Sequence, residues 1–359
     1  MTVSGVGLNY LISAMKPNFV MVKKLGGGAF GTVYLIRSKE TLQLLAAKHQ
    51  KVKQEKEMRY MRREVEILNL LDIHDNPDIV SLAGYYESPL ESVILTEYLE
   101  GGELFDRIAS RDFDLTEDKC RGFMRQVLTG LSYIHQRGVI HLDLKPNNIV
   151  CVTRGEGDSR VKIIDFGLAR RLRKPGERIP VSVCGTPEFI SPEVMRCSEA
   201  GTEADMWSTG VIVFMMVTGG YSPFYSRNKV NILNLGLGGS HISISCQYKM
   251  MRSAIHGNYN IEQFPRVSRD AKEMVRSLIV VSPDQRLSAD QCLGHPWLEA
   301  GSRRSEAGHN VRRLETEAMR RWLARRRWAR VGALVRATVR MKIIAPGPGY
   351  FSQEEEVWL

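Results

Sequence analysis

An aspartate, a lysine and an asparagine follow one another closely at Asp143, Lys145 and Asn148. Transfer of a phosphoryl group uses these three types of side chain. A carboxylate orients the attacking hydroxyl and accepts its proton, a cation faces the moving phosphate, and an amide oxygen binds magnesium. A second candidate metal ligand, Asp165, ends a short apolar run and precedes Phe166-Gly167. The spacing therefore predicts a phosphoryl-transfer site built from two loops.

A glycine-rich segment near the N-terminus could cover the phosphates of a nucleotide. Residues 25–33 contain the pattern G-x-G-x-x-G-x-V, and glycine lets backbone N–H groups approach phosphate oxygens closely. A dinucleotide-binding turn has similar spacing but needs a helix directly after its last glycine. Residues 32–36 read instead as a strand, which favours a β-hairpin. The candidate residues are Leu25, Gly26, Gly27, Gly28, Ala29, Phe30, Gly31, Thr32 and Val33.

Lys48 and Glu64 are a candidate pair for positioning a phosphate. Lys48 comes about one strand after the glycines, and Glu64 falls within a helical pattern. A lysine that projects from a sheet toward phosphates needs a carboxylate to fix its position. The alternative is that both are ordinary solvated surface residues, as most lysines and glutamates are.

The elements that must position these groups change in type along the chain. β-Branched and aromatic residues predict strands over 19–45 and 79–99, with a helix over 51–71 between them. Helical patterns dominate afterwards, at 103–109, 116–136, 202–217 and 268–280. A sheet-rich first third and a helix-rich remainder predict an α+β fold with two lobes that meet near residues 97–102.

Taken together, the motifs have a fixed order: the glycine loop, Lys48, Glu64, H-x-D-x-K-x-x-N at 141–148, D-F-G at 165–167 and P-E at 192–193. This set resembles the signature of protein kinases, and the resemblance covers roughly residues 19–298. It implies a bilobal kinase fold with an N-lobe at 18–99 and a C-lobe at 100–298. A lead-in (1–17) would precede this domain, and a basic regulatory tail with a C-terminal helix (299–359) would follow it.

The resemblance also implies an enzyme that uses ATP and Mg²⁺, with a role for each matching residue. Asp143 would be the catalytic base and Lys145 its phosphate-facing partner, and Asn148 and Asp165 would bind magnesium. The nucleotide would be bound by the glycine loop and by Val33, Ala46, Lys48, Glu64, the gatekeeper Thr96 and the hinge from Glu97 to Leu99. Framework roles would fall to a stacked column of Leu68, Leu82, His141 and Phe166, to a pair of Glu193 and Arg286, and to Asp205 bracing the catalytic loop.

Several local sequences indicate the kind of kinase. Lys145-Pro146 and Gly185-Thr186 are typical of serine/threonine rather than tyrosine kinases. Segments 164–172, 184–189 and 291–298 are similar to myosin light chain kinases within the calmodulin-dependent group. The other candidates are a death-associated-type calmodulin-regulated kinase and a non-catalytic calmodulin-binding scaffold. The intact Lys48, Asp143 and Asp165 argue against the scaffold.

Two positions depart from the family pattern. Leu142 replaces the arginine of H-R-D and offers no donor to a phosphate, so phosphorylation of Ser182 is not expected to be the activating switch. Asn147 replaces a glutamate that helps basophilic relatives bind an arginine upstream of the target serine. Glu103 remains as a candidate substrate-binding residue.

The positive charge of the chain is concentrated in its tail. Residues 312–342 hold eleven Arg or Lys and two Glu, which accounts for +9 of the net charge of +10. Residues 325–341 form a basic amphipathic pattern similar to the calmodulin-binding helix of myosin light chain kinases. The predicted contacts with calcium-loaded calmodulin are Trp328, Gly332, Val335 and Met341. A solvated helix, a membrane-surface helix and a nucleic-acid-binding segment are the alternatives. The tail would occupy the substrate groove until calmodulin removes it.

The cysteines and the absence of targeting patterns limit the class of protein to which this sequence can belong. Six cysteines without a CxxC pair indicate free thiols rather than a zinc site or disulfide framework. No signal-peptide or membrane-spanning pattern is present, so we expect a cytoplasmic monomer, with cytoskeletal association as a further expectation. Its partners would be a protein substrate, for which myosin regulatory light chain is the candidate, and calmodulin, without nucleic acid or membrane. Residues 230–249 interrupt the family pattern as an insertion without regular order.

Overall fold

The protein is described by a computed structural model that covers residues 18–28, 31–71, 76–155, 157–174, 176–224, 244–299 and 313–327. Within these ranges no helix has both the length and the apolar character that a membrane span requires. The predicted calmodulin contacts Trp328, Gly332, Val335 and Met341, and the loop residues Ala29 and Phe30, lie outside the described residues.

The N-terminal lobe is built on one antiparallel sheet with strand order β1-β2-β3-β5-β4. Its strands are β1 (Phe19–Gly28), β2 (Gly31–Ser38), β3 (Leu44–Lys51), β4 (Leu82–Ser88) and β5 (Glu91–Glu97). Helix α1 (Glu55–Leu70) packs against β4 and β5. One face carries a small apolar core of Ile36, Leu45, Ala47, Val93 and Leu95. Because side chains alternate along a strand, the other face, which includes Lys48, can serve a ligand.

The C-terminal lobe is helical and is organised around α5. Its helices are α2 (Leu104–Ile108), α3 (Glu117–Gln136), α4 (Pro192–Met195), α5 (Glu203–Val217), α6 (Ile244–Ile255), α7 (Arg269–Leu278) and α8 (Ala289–Leu293). Every residue of α5 from Ala204 to Val217 is buried. Helix α3 packs against α5 and α8, and α7 packs against α5. A helix that is apolar all round is stable only when surrounded in this way.

Short two-stranded ladders hold the two loops that carry the predicted chemistry. Strand β6 (Val139–Ile140) pairs with β9 (Arg170–Arg171), and β7 (Ile149–Cys151) pairs with β8 (Val161–Ile163). A third ladder joins β10 (Ile179–Pro180) to β11 (Glu199–Ala200). Residues 141–148 connect β6 to β7, and residues 164–169 connect β8 to β9. Since the flanking strands pair with one another, the two loops are held side by side.

The predicted bilobal α+β fold is confirmed, with two local differences. The helix expected from residue 51 begins at Glu55, because Lys51 still pairs with Glu91 in the sheet. Glu57 then caps the helix by accepting hydrogen bonds from the backbone N–H groups of Lys53 (2.5 Å) and Gln54 (3.2 Å). The last six residues of the predicted insertion, 244–249, form the start of α6 rather than a loop. The segment 225–243 lies outside the described residues.

The five described cysteines are free. Cys120, Cys151 and Cys292 are buried, and burial raises the pKa of the Cys292 thiol to about 12. Such buried thiols act as small apolar groups in the core rather than as nucleophiles.

Candidate active site

The sheet face opposite the apolar core carries four of the residues predicted to bind the nucleotide: Val33, Ala46, Lys48 and Thr96. Val33 pairs directly with Lys48, and Ala46 pairs directly with Thr96. Directly opposed residues of antiparallel strands share a face, and Ala46 and Lys48 are two residues apart. These four side chains therefore lie on one surface, with small or β-branched residues beside a single cation.

The glycine loop is a hairpin, as the strand pattern after its last glycine predicted. Gly28 pairs with Gly31, and β2 follows immediately. Gly31 has φ +107°, and a Cβ at this position would lie 2.2 Å from the backbone oxygen of His49. Only glycine fits here without moving the backbone. Because a strand rather than a helix follows, the loop is not a dinucleotide-binding turn. Leu25, Gly26 and Gly27 lie in β1, and Thr32 lies in β2.

Lys48 lies at the centre of an ionic cluster between the lobes. Its Nζ is 2.8 and 2.9 Å from the two carboxylate oxygens of Glu64 on α1, and 2.7 Å from Oδ1 of Asp165. Burial alone would lower the pKa of the Lys48 ammonium, but the two carboxylates outweigh burial and raise it. Burial likewise opposes ionisation of Asp165, and the nearby Lys48 charge outweighs it, so the pKa of Asp165 is lowered. The cluster therefore holds a permanent cation beside an ionised carboxylate.

Asp143 is buried in the loop between β6 and β7, where its neighbours fix its orientation. Oδ2 contacts Lys145 Nζ, and Oδ1 accepts a hydrogen bond of 3.2 Å from the hydroxyl of Thr186. Asn148 Nδ2 donates to the backbone oxygen of Asp143 at 2.9 Å. The structure thus brings together the carboxylate, amine and carboxamide that the sequence singled out, with Thr186 as a further partner.

The loop is braced from the core by Asp205, at the start of α5. Its carboxylate accepts hydrogen bonds from the backbone N–H groups of His141 (2.8 Å) and Leu142 (2.9 Å) and contacts His135 Nε2 (2.9 Å). Burial opposes the charge of Asp205, but these donors outweigh it and lower its pKa. Leu142 has φ +62°, a conformation that costs a non-glycine residue on the order of 1–3 kcal/mol. The two backbone hydrogen bonds at Asp205 offset that cost.

The second loop is anchored by packing behind Asp165. Phe166 is buried, and its ring lies 5.1 Å from the ring of His141. His141 Nε2 lies 3.1 Å from the backbone oxygen of Ile164. Leu68 on α1 is buried in the same apolar cluster, and Leu82 packs against that cluster. The four residues expected to form a stacked column are thus part of one core.

The donor set near Asp165 suits magnesium rather than a metal held by protein alone. No group of three or more His, Cys, Asp or Glu side chains placed for a metal occurs among the described residues. Magnesium is usually bound through one or two carboxylates together with substrate phosphates. Asp165 offers a carboxylate kept ionised by Lys48. Asn148 uses Nδ2 in its hydrogen bond to Asp143, which leaves Oδ1 as the atom able to bind a cation.

At the hinge, the side chain of Glu97 is tied to the C-lobe. It accepts hydrogen bonds from the backbone N–H of Ser81 (2.8 Å) and from Lys162 Nζ on β8 (2.7 Å). Of the predicted hinge residues, Glu97 ends β5 and Leu99 is half-buried. This ion pair links the hinge to the strand that leads into Asp165.

A helix from the tail covers a polar surface beside the catalytic loop. We call residues 317–327 the tail helix. Trp322 is 6% exposed, its Nε1 donates to Glu188 at 2.8 Å, and its ring makes an edge contact with Phe105 at 5.7 Å. Arg327 donates to Asp106 Oδ1 at 2.8 Å. Arg326 donates to Asn147, whose own amide donates to Glu103. We call Glu103, Asp106, Asn147 and Glu188 the docking surface.

Two glycines allow the tail to approach the C-lobe closely. Gly219 (φ +77°) accepts a hydrogen bond of 2.9 Å from the backbone N–H of Met319 through its own oxygen. A Cβ on Gly219 would lie 1.8 Å from the oxygen of Glu315, and one on Gly220 (φ +106°) would lie 2.2 Å from Met319 Cα. The backbone after α5 is therefore shaped to receive the tail.

Sequence reasoning missed most of this contact. Glu103 was a candidate, but Asp106, Glu188, Trp322, Arg326 and Arg327 were not assigned to the site. The sequence did contain one indication of this contact, the helical spacing of the apolar residues Met319, Trp322 and Leu323. All three side chains are buried in the structure. That stripe precedes the predicted calmodulin segment and is separate from it.

The chain matches the Protein kinase domain family over residues 19–298. It is 38% identical over 323 residues to smooth-muscle myosin light chain kinase of Gallus gallus, covering 90% of this chain and 16% of that protein. It is 40% identical over 323 residues to skeletal/cardiac-muscle myosin light chain kinase 2 of Oryctolagus cuniculus, covering 89% of this chain and 49% of that protein. The chain thus spans half or less of the length of these relatives.

Solved structures with the same architecture include the kinases of titin, a giant muscle protein, and of twitchin. The autoinhibited serine kinase domain of titin superposes with a TM-score of 0.70 at 28% identity, covering 87% of this chain and 88% of that chain. A Caenorhabditis elegans twitchin fragment, an autoregulated protein kinase with immunoglobulin domains, also gives 0.70 at 28% identity, covering 93% of this chain and 65% of that chain.

Proposed function

Because the chain belongs to the protein kinase family, we propose that it transfers the terminal phosphate of ATP to a serine or threonine hydroxyl of another protein. The observation that carries this proposal is the oriented catalytic loop, in which Asp143 contacts Lys145 and Thr186 and lies beside Asn148. That loop is held against the loop of Asp165, which is joined to Lys48 and Glu64.

The proposed roles follow from the geometry and the charge of each group. The carboxylate of Asp143 orients the substrate hydroxyl and accepts its proton, while Lys145 faces the transferred phosphate. Lys48, kept protonated by Glu64 and Asp165, binds the α- and β-phosphates. Asn148 and Asp165 would hold Mg²⁺, which neutralises charge on the phosphates when it is bound. Val33, Ala46 and Thr96 line the surface assigned to the adenine.

The test is a transfer assay on the full chain with ATP, Mg²⁺ and a light-chain-derived serine peptide, with and without calcium-loaded calmodulin. Asp165→Ala, which removes a proposed metal ligand, serves as the blank. Transfer above this blank supports a kinase. If none of the conditions gives transfer although the chain is folded and binds ATP, a non-catalytic scaffold is the better interpretation.

We further propose that the tail helix inhibits the enzyme by covering the site where the protein substrate binds. Asn147 directly precedes Asn148, and Glu188 comes two residues after Thr186, which donates to Asp143. The docking surface is therefore adjacent to the catalytic base. In this proposal, Trp322 and Arg326, which bind Glu188 and Asn147, occupy part of the path by which a substrate segment would reach Asp143.

Calcium-loaded calmodulin is the proposed activator, acting through residues 325–341. That segment includes Arg326 and Arg327, so calmodulin and the docking surface would compete for the same arginines. Myosin regulatory light chain is the proposed substrate class, supported by the similarity to myosin light chain kinases. A death-associated-type kinase remains the second candidate, and substrate assays distinguish the two. A cytoplasmic, cytoskeleton-associated monomer is part of the same proposal.

Trp322→Ala should raise calmodulin-independent activity by at least about tenfold. Trp322 is buried and donates a hydrogen bond to Glu188. Truncating a buried tryptophan to alanine usually costs about 3–5 kcal/mol. A loss of only about 1.4 kcal/mol of docking free energy would lower the ratio of docked to undocked tail tenfold. Trp322 precedes the predicted calmodulin segment, so binding of calmodulin should be retained. Peptide phosphorylation without calcium measures the effect. Arg321→Ala, on the exposed side of the same helix, is the control and should change little. Unchanged basal activity in the tryptophan variant would contradict inhibition by the tail.

A further inference from the structure

The course of the chain between the catalytic loop and α4 decides where Thr186 lies. We call residues 165–193 the activation segment. Thr186 donates a hydrogen bond to Asp143 at 3.2 Å. The preceding residue, Gly185 (φ +96°), passes so close to the catalytic loop that a Cβ on it would lie 2.9 Å from the backbone oxygen of Leu142. A displaced activation segment would therefore take away a partner that orients Asp143.

The backbone gives the middle of the activation segment little support. Leu142 is buried and its side chain has no donor, so it cannot bind a phosphate on this segment. The ladder of β10 with β11 consists of two residue pairs, and one of them includes Pro180, which has no N–H to donate. A side-chain anchor is therefore needed to hold the segment in one place.

Arg178, directly before β10, supplies such an anchor. Its Nη2 donates to Oε1 of Glu203 at 2.9 Å and to Oδ1 of Asp284 at 2.6 Å. The side chains of Arg178 and Glu203 are 28% and 27% exposed, and that of Asp284 is 74% exposed. The bond from Arg178 holds the pKa of Asp284 below its usual range. Because Glu203 begins α5 and Asp284 lies in the turn Pro283–Gln285, one guanidinium ties the segment to two elements of the C-lobe.

The main acceptor, Glu203, is held in place from inside the C-lobe. Its backbone oxygen accepts a hydrogen bond of 2.9 Å from Arg286, which is itself paired with Glu193 in the core. A Cβ on Gly201 would lie 2.3 Å from Oε2 of Glu203 and 3.2 Å from Cγ of Arg178, so this glycine leaves room for both side chains. The ion pair therefore has to order chiefly the side chain of Arg178, which lowers its entropic cost.

We propose that Arg178 is a positioning residue that holds the activation segment in the arrangement that accepts a substrate, through Glu203 and Asp284 and without a phosphate on the segment. This inference rests on the proposed function, since it assumes that peptide is phosphorylated beside Thr186. The ionic cluster around Lys48 is built from other residues, so binding of ATP should not depend on Arg178.

The test is Arg178→Met in the full chain, which keeps an apolar stem beside Gly201 and removes the N–H donors. With saturating calcium-loaded calmodulin, kcat/KM for a serine peptide should fall about tenfold, as expected when a charged hydrogen bond partly screened by solvent is lost. The Kd for ATP, measured by titration, should not change. Hydrogen exchange of residues 176–184 should become faster. Ser182→Ala should keep the wild-type kcat/KM.

Arg173→Met is the matched control, because it removes an exposed positive charge from the same segment. It should keep the wild-type kcat/KM and hydrogen exchange. Arg178→Lys should restore most of the loss, since an ammonium can still donate to either carboxylate. Adding Glu203→Gln to Arg178→Met should lower kcat/KM little further, because both residues belong to one interaction.

Thermal unfolding shows whether each variant is folded, and Arg178→Gln replaces the methionine variant if that one does not fold. Unchanged kcat/KM and hydrogen exchange in Arg178→Met, an equal loss in Arg173→Met, or loss of transfer in Ser182→Ala would overturn the inference alone. Absence of transfer by the wild-type enzyme would overturn the proposed function. Hydrogen exchange needs no transfer, so it would still decide whether Arg178 holds the segment.

Discussion

Asp143→Asn should lower kcat for peptide phosphorylation by about 10²–10⁴-fold, the range that a positioned general base contributes. The substitution keeps the size of the side chain and can keep the hydrogen bond from Thr186, but it removes the proton acceptor beside Lys145. Since Lys48, Glu64 and Asp165 are untouched, binding of ATP and magnesium should be retained. Steady-state assays with saturating calmodulin measure kcat, and nucleotide binding is measured separately by titration.

Asp106→Asn is a matched control, because it removes a carboxylate from the docking surface without reaching the catalytic loop. It should change KM for an arginine-containing peptide more than kcat. A residual kcat in Asp143→Asn within a few-fold of wild type would show that Asp143 is not the base and would contradict the proposed mechanism.

Glu193→Ala should lower the free energy of unfolding by about 3–5 kcal/mol, as expected when one partner of a buried ion pair is removed. Both carboxylate oxygens of Glu193 accept from Arg286 at 2.7 Å, and the two side chains are 8% and 0% exposed. Arg286 keeps hydrogen bonds to backbone oxygens of Val280 and Val281. These bonds hold a charge in the core that no carboxylate would then neutralise.

Urea unfolding followed by circular dichroism measures the change, with Glu199→Ala as control because Glu199 is exposed on β11. The double variant Glu193→Leu with Arg286→Met should recover much of the stability, since well-packed apolar replacements of a buried pair are often neutral. A loss below about 1 kcal/mol in Glu193→Ala would show that solvent reaches Arg286 and that the pair is not buried in solution.

The proximity of the candidate catalytic residues could be predicted because most of them lie close together in the sequence. Asp143, Lys145 and Asn148 lie in one loop, and the ladders formed by β6 with β9 and by β7 with β8 bring Asp165 beside them. The alternation of side chains in β3 explains why Ala46 and Lys48, whose roles the family resemblance implied, share one face. Short-range spacing and strand periodicity carry this information directly.

The ends of helices and strands were harder to predict from the sequence, because pairing between residues far apart in the chain determines them. Lys51 belongs to β3 through its partner Glu91, which is forty residues away, so local helix preference could not reveal where α1 begins. The start of α6 at Ile244, inside the predicted insertion, was likewise not predicted from the local sequence.

The docking of the tail could not be predicted from the sequence, because it depends on backbone shape. Gly219 and Gly220 can lie against Glu315 and Met319 because neither has a Cβ, and both adopt positive φ, which a sequence does not display. The contact also joins residues about a hundred positions apart. By contrast, the basic character of the tail is visible in the sequence, and it marks residues 325–341 rather than the buried apolar residues around Trp322.

Docking through Arg326 and Arg327 has a kinetic signature. The side-chain hydrogen bonds of Trp322, Arg326 and Arg327 are made to the docking surface. Lys48, by contrast, pairs with Glu64 and Asp165. Substrate and tail then compete for one surface within a single molecule, and enough substrate always displaces the tail. The apparent KM for peptide is multiplied by one plus the ratio of docked to undocked enzyme, and kcat stays the same. A tail docked in a ratio of about a hundred to one would raise that KM about a hundredfold. By reciprocity, abundant substrate would tighten the binding of calmodulin by the same factor, so the enzyme would respond to less calcium where its substrate is more concentrated.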